Sequence, residues 1–361
     1  MLTNYIKHVK FFKNVQHIST ININGYKEDI IERKDYPINK CKKILKNKVV
    51  SVIGYGPQGR GQSLNMRDNN IKVILGLRKG NSWNTALKDG WIEGKNLFEI
   101  EEACYKGNVI QYLLSDVGQI QQWNKVKKYL YEGDTLYFSH GFGITFKEKT
   151  KIIPPNNIDV VMVAPKGAGL TVRNHFKNGS GINVSYAVHQ DFTGNAKNTA
   201  LALAFGIGCG HAFETTFDKE VYSDLTGERC VLMGLIQGAF LAQYSILREK
   251  GHSPSESYNE TVEEALESLF PLISDKGMDW LYANCSTTAQ RGALDWAPKF
   301  EKVLKPIIQE CYESVLDGTE ANNVIKSNSK KNHREKLNKE LELISKQELW
   351  QIAKVLRDLR P

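Results

Sequence analysis

Residues 49–59 read VVSVIGYGPQG, and the folding of this run decides the architecture around it. An apolar strand, VVSVI, leads straight into Gly54-x-Gly56-x-x-Gly59. Glycines permit a tight turn and close backbone approach, and the helix that follows presents free N–H groups to a pyrophosphate. A bare G-x-G-x-x-G occurs in many ordinary turns. Set between a strand and a helix, it marks a dinucleotide-binding βαβ unit.

Outward from this run the same alternation continues. IKVILGL (71–77), NVIQYLL (108–114), TLYFS (135–139), DVVMVA (159–164) and INVSYAV (182–188) read as further strands. Strands separated by helical stretches predict a parallel α/β sheet. NAKNTALALAFGIGCG predicts a helix that stops on a glycine cluster, a natural domain junction. Helical patterns then cover about 223–250, 255–273, 296–315 and 336–359, with the polar run IKSNSKKNHREK (325–336) as a solvated loop. The expected division is an N-terminal extension over 1–40, a Rossmann-type domain over 41–210 and an all-α domain over 211–361.

The strand ends supply candidate site residues, because ligands of open α/β sheets bind beyond the carboxyl ends of the strands. An NAD site usually carries an acid about 20 residues after the glycine run, accepting from the ribose 2′-hydroxyl. Here the sequence is GLRKGNSW: Arg78 and Lys79 with Ser82, and no acid until Asp89. Two cations and a hydroxyl suit a 2′-phosphate, so NADP(H) is expected over NAD(H). Asp116 follows the third strand, His140 ends the fourth in FSHGFG, and Lys166 and Gly167 end the fifth in APKGAG. All four are expected on the cofactor side.

Composition narrows the class. The chain has 361 residues, 41% hydrophobic and 24% charged, which is globular and large enough for two domains. Its net charge of +8 comes without a zinc knuckle, RNP pattern or arginine-rich helix, so no nucleic-acid partner is expected. No apolar run is expected to reach the ~20 residues that span a bilayer. Six cysteines without metal or C-x-x-C spacing read as reduced thiols of a cytoplasmic protein. The opening residues are basic and hold no acid before Glu28; a simple extension fits them better than a transit peptide, which would be rich in Arg and Ser.

Two acid pairs in the helical half complete the pattern. Asp224 and Glu228, in SDLTGER, share a helical stripe with Val231 and Leu235, where uncompensated carboxylates are costly. A helix start capped by Ser223 would offer a dipole explanation. Glu260 and Glu264, in NETVEE, read more simply as part of a solvated acidic face with Glu263 and Glu267. A divalent metal would satisfy both pairs together. Four carboxylates make an all-oxygen set suited to Mg²⁺.

Taken in order, GYGPQG, SHGFG, APKGAGLTVR, SDLTGE, NETVEE and CSTTAQRG resemble ketol-acid reductoisomerase, also called acetohydroxy-acid isomeroreductase, of branched-chain amino-acid biosynthesis. The likeness spans about residues 45–300 and the LWQIAKVLRDLRP terminus; CSTTAQRG departs from the commoner SNTAEYG-like wording. It implies a Rossmann NADP(H) domain, contacted through Gly54, Tyr55, Gly56, Pro57, Gln58 and Gly59, and a knotted helical domain holding two Mg²⁺. It further implies that Asp224 bridges the metals, Glu228 contacts one, Glu260 ligates the second and Glu264 acts beside metal and substrate. Ser286 is implied to bind the substrate carboxylate end, with His140 and Lys166 supporting the water and substrate network. The single helical domain resembles the short form, in which two chains intertwine and share active sites, with higher assembly possible. The implied reaction is Mg-dependent alkyl migration of 2-acetolactate or 2-aceto-2-hydroxybutyrate, then NADPH reduction to the 2,3-dihydroxy acid. The rivals are a metal-free Rossmann dehydrogenase and a non-catalytic NADP(H) sensor.

Overall fold

The computed structural model describes residues 19–360. The readings made for the first 18 residues lie outside that range. The chain divides into two compact units, the first ending at Glu220 and the second beginning at Val221.

The first unit is built on one ten-stranded sheet. Its strands are β1 (Ser19–Ile23), β2 (Tyr26–Glu32), β3 (Val50–Ile53), β4 (Val73–Gly76), β5 (Leu97–Phe98), β6 (Val109–Tyr112), β7 (Thr135–Phe138), β8 (Asp159–Pro165), β9 (Val184–Gln190) and β10 (His211–Glu214). Spatial order is β1-β2-β10-β9-β8-β7-β6-β3-β4-β5. The run β8-β7-β6-β3-β4-β5 is parallel throughout, the doubly wound order with its switch point between β3 and β6. Alternation along the strands feeds two cores. Val50, Val52, Val161 and Val163 face one layer of helices, and Ile53, Ile110, Val160 and Met162 the other.

Three expectations need correction. The sheet is not wholly parallel: β9 pairs with β8 antiparallel, and β10 follows β9 in the reversed direction. The expected boundary at 210/211 would have cut β10 from the sheet in which it pairs with both β9 and β2. Nor do residues 19–40 stand apart as an extension. Asn24 and Gly25 take φ of 50° and 88°, as a two-residue hairpin turn requires, and β1 and β2 join the sheet edge through β10.

Arg33, just after β2, fastens this edge. Its guanidinium donates to the carbonyls of Cys209 (2.8 Å), Gly179 (2.6 Å), Ser180 (2.7 Å) and Gly208 (3.3 Å). These carbonyls follow the C-termini of the helices Gly169–Lys177 and Ala196–Gly206, where negative partial charge collects. Arg33→Ala is expected to destabilise the protein by about 1–2 kcal/mol, given several charge-assisted bonds at an exposed site. Denaturant unfolding with an unchanged slope would check it.

The second unit is helical, with long elements Gly234–Glu249, Thr287–Leu316, Thr319–Asn328, His333–Ser345 and Glu348–Arg357. The helix begun at Phe217 ends at Arg229, so residues 230–233 interrupt the expected 223–250 helix and Val231 leaves the acid stripe, 59% exposed. The expected helix over 255–273 is real but carries two π-type turns, Asn259–Glu263 and Ala265–Leu269. Its described core is small: Tyr244, Tyr258, Val262, Leu349 and Ala353.

The expectation that no apolar run nears bilayer length also fails. Phe217–Glu249 contains an 18-residue window of mean hydropathy 1.6, long and apolar enough to cross a membrane by length and composition. Only 11% of that window is buried within this chain. On the helix Thr287–Leu316, Trp296, Phe300, Val303 and Ile307 fall at i, i+4, i+7 and i+11 and are all more than half exposed. The second unit thus carries much more apolar surface than its own core covers.

Candidate active site

The glycine run sits at the C-terminal end of β3, beside the switch point. Gly54 has φ +108°, and a Cβ there would lie 2.6 Å from the Leu113 carbonyl oxygen. A Cβ on Gly59 would lie 2.2 Å from the Gly54 oxygen. At Gly56 a Cβ would meet nothing within 4 Å. The outer glycines are therefore demanded by the protein's own packing, while Gly56 keeps open the space before the helix Pro57–Asp68. Unpaired N–H groups at that helix start fit a pyrophosphate.

Around this loop the other expected cofactor residues find defined partners. Gln58 Nε2 donates to the Gly167 carbonyl at 2.9 Å, joining two candidates. Asp116 opens the helix Asp116–Val126, whose cap is the Ser115 hydroxyl. The Tyr55 ring is buried, and its hydroxyl donates to Asp89 at 2.8 Å and accepts from Trp91 Nε1 at 2.9 Å. What Tyr55 offers a cofactor is therefore backbone. Asp89 is gripped by Arg60 at 2.7 and 2.9 Å, which holds its carboxyl below the usual range. The first acid after the loop is thus committed to Arg60 and Tyr55. Arg78, Lys79 and Ser82 stand exposed at the end of β4, and Lys79 is paired with Glu93 at 2.5 Å.

His140 and Lys166, at the ends of β7 and β8, meet on a residue that the sequence reading passed over. Glu220 Oε2 lies 3.0 Å from His140 Nδ1 and accepts from the Gly141 N–H at 3.0 Å; Lys166 Nζ lies 3.5 Å from Oε1. The Glu220 side chain is 2% exposed. Burial alone would raise its pKa, but the His140 bond, the His140 and Lys166 charges and the Gly141 N–H outweigh it and hold the carboxyl below its usual value. Its helix, Phe217–Arg229, is seated by Phe217, whose ring meets Phe138 and His189 at centroid distances of 6.0 and 5.4 Å. One signal could have found Glu220: it precedes Asp224 by the same four residues that separate Asp224 from Glu228.

Asp224 and Glu228 lie one and two turns further along this helix, half-buried and exposed respectively. Because the helix starts at Phe217, Ser223 is no cap and the dipole account of these acids fails. In the second unit, Arg360 separates the acids that looked like one solvated stripe. It binds Glu263 at 2.7 Å and Glu267 at 3.0 Å. Glu260 and Glu264 are exposed, and among the described residues neither has an ion pair. Ser286 is the N-cap of Thr287–Leu316, its oxygen accepting from the Ala289 N–H at 3.2 Å, with the hydroxyl exposed.

A switch-point glycine loop beside polar strand ends defines a Rossmann-type oxidoreductase of the nicotinamide-dinucleotide class, extended by a helical unit. Family comparison takes this further. Residues 44–212 match the acetohydroxy acid isomeroreductase NADPH-binding domain, and residues 217–361 the ketol-acid reductoisomerase C-terminal domain. The chain is 54% identical to "Ketol-acid reductoisomerase (NAD(+))" of Desulfosudis oleivorans, over 95% of this chain and 97% of the relative. It is 52% identical to "Ketol-acid reductoisomerase, mitochondrial" of Saccharomyces cerevisiae, over 98% and 90%. Among solved structures, an NADH-preferring ketol-acid reductoisomerase from an uncultured archaeon matches with a TM-score of 0.82 at 31% identity, covering 92% of this chain and 99% of that one. The chain belongs to the ketol-acid reductoisomerase family, and its activity is that step of branched-chain amino-acid biosynthesis.

Proposed function

We propose that the chain works as a homodimer with NADPH as its better coenzyme and two Mg²⁺ per site, the Asp224/Glu228 pair of one chain facing Glu260, Glu264 and Ser286 of the other. One observation carries the metal reading: Arg360 neutralises Glu263 and Glu267 and, among the described residues, leaves Glu260 and Glu264 exposed without a cationic side chain. Exposed carboxylates at that spacing, on a helix with π-type turns, are a hard-oxygen donor set in need of charge. The dimer reading is supported by the stripe Trp296–Phe300–Val303–Ile307, a helix face that a second copy would cover. The same covering accounts for the exposed apolar window near residues 230–247 without a membrane.

In this reading, Asp224, Glu228, Glu260 and Glu264 would hold Mg²⁺, which would supply Lewis acidity to the substrate oxygens when bound. Bound NADPH supplies the hydride. The remaining work belongs to the chain. The Ser286 hydroxyl, free to donate, orients the substrate carboxylate. Lys166 offers its ammonium to a substrate oxygen that gains negative charge, and His140, its Nδ1 held by Glu220, stands on the same carboxylate beside it. Glu264, which has no Lys or Arg partner among the described residues, is the carboxylate placed to take the hydroxyl proton whose loss starts the alkyl migration. The Gly56 gap and the strand ends of β3 and β6 hold the dinucleotide alongside.

For location we keep the cytoplasmic reading, based on the reduced thiols; the Saccharomyces cerevisiae and Neurospora crassa relatives are named as mitochondrial, and a matrix would be equally reducing. A fluorescent fusion at the C-terminus separates the two compartments.

The reaction is tested by NADPH oxidation with 2-acetolactate. Turnover is expected only with Mg²⁺, lost in excess chelator and restored by fresh metal. Full activity in chelator would overturn the metal reading. No oxidation with any 2-aceto-2-hydroxy acid would overturn the substrate reading.

A further inference from the structure

The cavity at the end of β4, about 670 Å³, has an unusual charge lining for a 2′-phosphate site. Three cations face it, Arg78, Lys79 and Lys125, against four carboxylates. Lys125 is held by Glu101 at 3.1 Å. Lys79 is held twice: its ammonium lies 2.5 Å from Glu93 Oε1 and 3.7 Å from the centroid of the Trp83 ring. Among the described residues Arg78 alone of the three has no carboxylate partner.

Glu93 is not placed there by chance rotation of a loop. It pairs as an isolated bridge with Leu97, the Gly94 N–H donates to the Leu97 carbonyl at 3.1 Å, and the Ile92 N–H donates to Asn96 Oδ1 at 2.7 Å. Gly94 takes φ +74°, so the turn depends on a glycine immediately after the acid. This turn lies 14 residues beyond Lys79 in sequence and returns a carboxylate to the cation that would otherwise face the phosphate.

We propose that Glu93 is a coenzyme-selectivity determinant. It engages Lys79 and adds negative charge to the cavity, so that Arg78 is the principal cation left for a 2′-phosphate and NADH is used alongside NADPH. The inference rests on the dinucleotide reading above, and concerns the discrimination between the two coenzymes. Its chemistry is simple. A 2′-phosphate brings about two negative charges, and a carboxylate near it costs NADPH binding while leaving the 2′-hydroxyl of NADH little affected.

The test measures Kd for NADPH and NADH by nucleotide fluorescence on the full-length enzyme, and kcat/KM for both, with Glu93→Gln against wild type. NADPH affinity is expected to rise about threefold to fivefold, the scale of an exposed ion pair, with NADH changed by less than about twofold. The gain should shrink in high salt. Equal NADPH affinity in the two proteins, or an equal gain for both coenzymes, would overturn the role of Glu93. Failure of the wild type to bind either nucleotide would instead overturn the dinucleotide reading itself.

Discussion

Glu220→Gln is expected to lower kcat by about a hundredfold to a thousandfold, the range of a disrupted acid–base and charge-stabilising group, with NADPH affinity within about twofold of wild type. The substitution keeps the volume of a 2% exposed side chain and removes only its charge. The donors to the carboxylate include His140 Nδ1, the Gly141 N–H and Lys166 Nζ. A Gln amide can accept at one end only, so one of these donors would face an N–H₂ group. Lys166 would also lose the charge that fixes it and swing toward solvent, away from the substrate. The pH behaviour separates this role from simple packing. A carboxyl held below its unfolded value of 4.5 contributes stability above that pH, and the contribution is lost as pH falls through the lower folded value. Glu220→Gln should therefore lack this acid-side loss, while its kcat defect persists at neutral pH. A variant with near-normal kcat and only a lower Tm would reduce Glu220 to a structural buttress.

Legibility in the sequence followed the range of the interactions. β3, β4, β6, β7 and β8 were readable because each is a short continuous apolar run, as strands buried on both faces must be. The reversal of β9 was not, since the apolar run around Val184–Gln190 looks the same in either direction and only its partner across the sheet fixes it. The β1–β2 hairpin was readable in principle: Asn24-Gly25 between alternating residues is a strong local turn signal, hidden by the basic segment before it. Among the proposed site residues, the positions of His140 and Lys166 at the ends of β7 and β8 were readable because strand ends are predictable. Glu220 was missed because its role depends on a helix that starts six residues earlier than expected. The paired state of Lys79 needed the turn at Gly94, which no local pattern around GLRKGNSW announces. Glu260 and Glu264 could not be told from Glu263 and Glu267 by spacing, because what separates them is Arg360, about a hundred residues away in the chain.

Two inactive variants are expected to restore each other when mixed. Asp224→Asn and Glu260→Gln each remove one oxygen donor from the proposed metal set, and each alone should lose turnover by at least about a thousandfold, as loss of a metal-borne transition-state charge implies. If both acids served the same site within one chain, co-refolding the two variants would yield only defective sites. If the site is shared between copies, a mixed dimer puts both substitutions in one site and leaves the other wild type. Random pairing makes half the dimers mixed, so about a quarter of wild-type activity should return. The exposed stripe Trp296, Phe300, Val303 and Ile307 gives the physical reason why mixing needs denaturation first: pairing that buries such a face is slow to exchange. Simple mixing of folded variants should thus recover little, and co-expression should recover the quarter. NADPH binding by both variants, unchanged within about twofold, would show that the nucleotide unit is intact while the metal set is broken. Persistent inactivity of co-expressed chains that do form mixed dimers would place all four acids in one chain's own site and remove the shared-site reading.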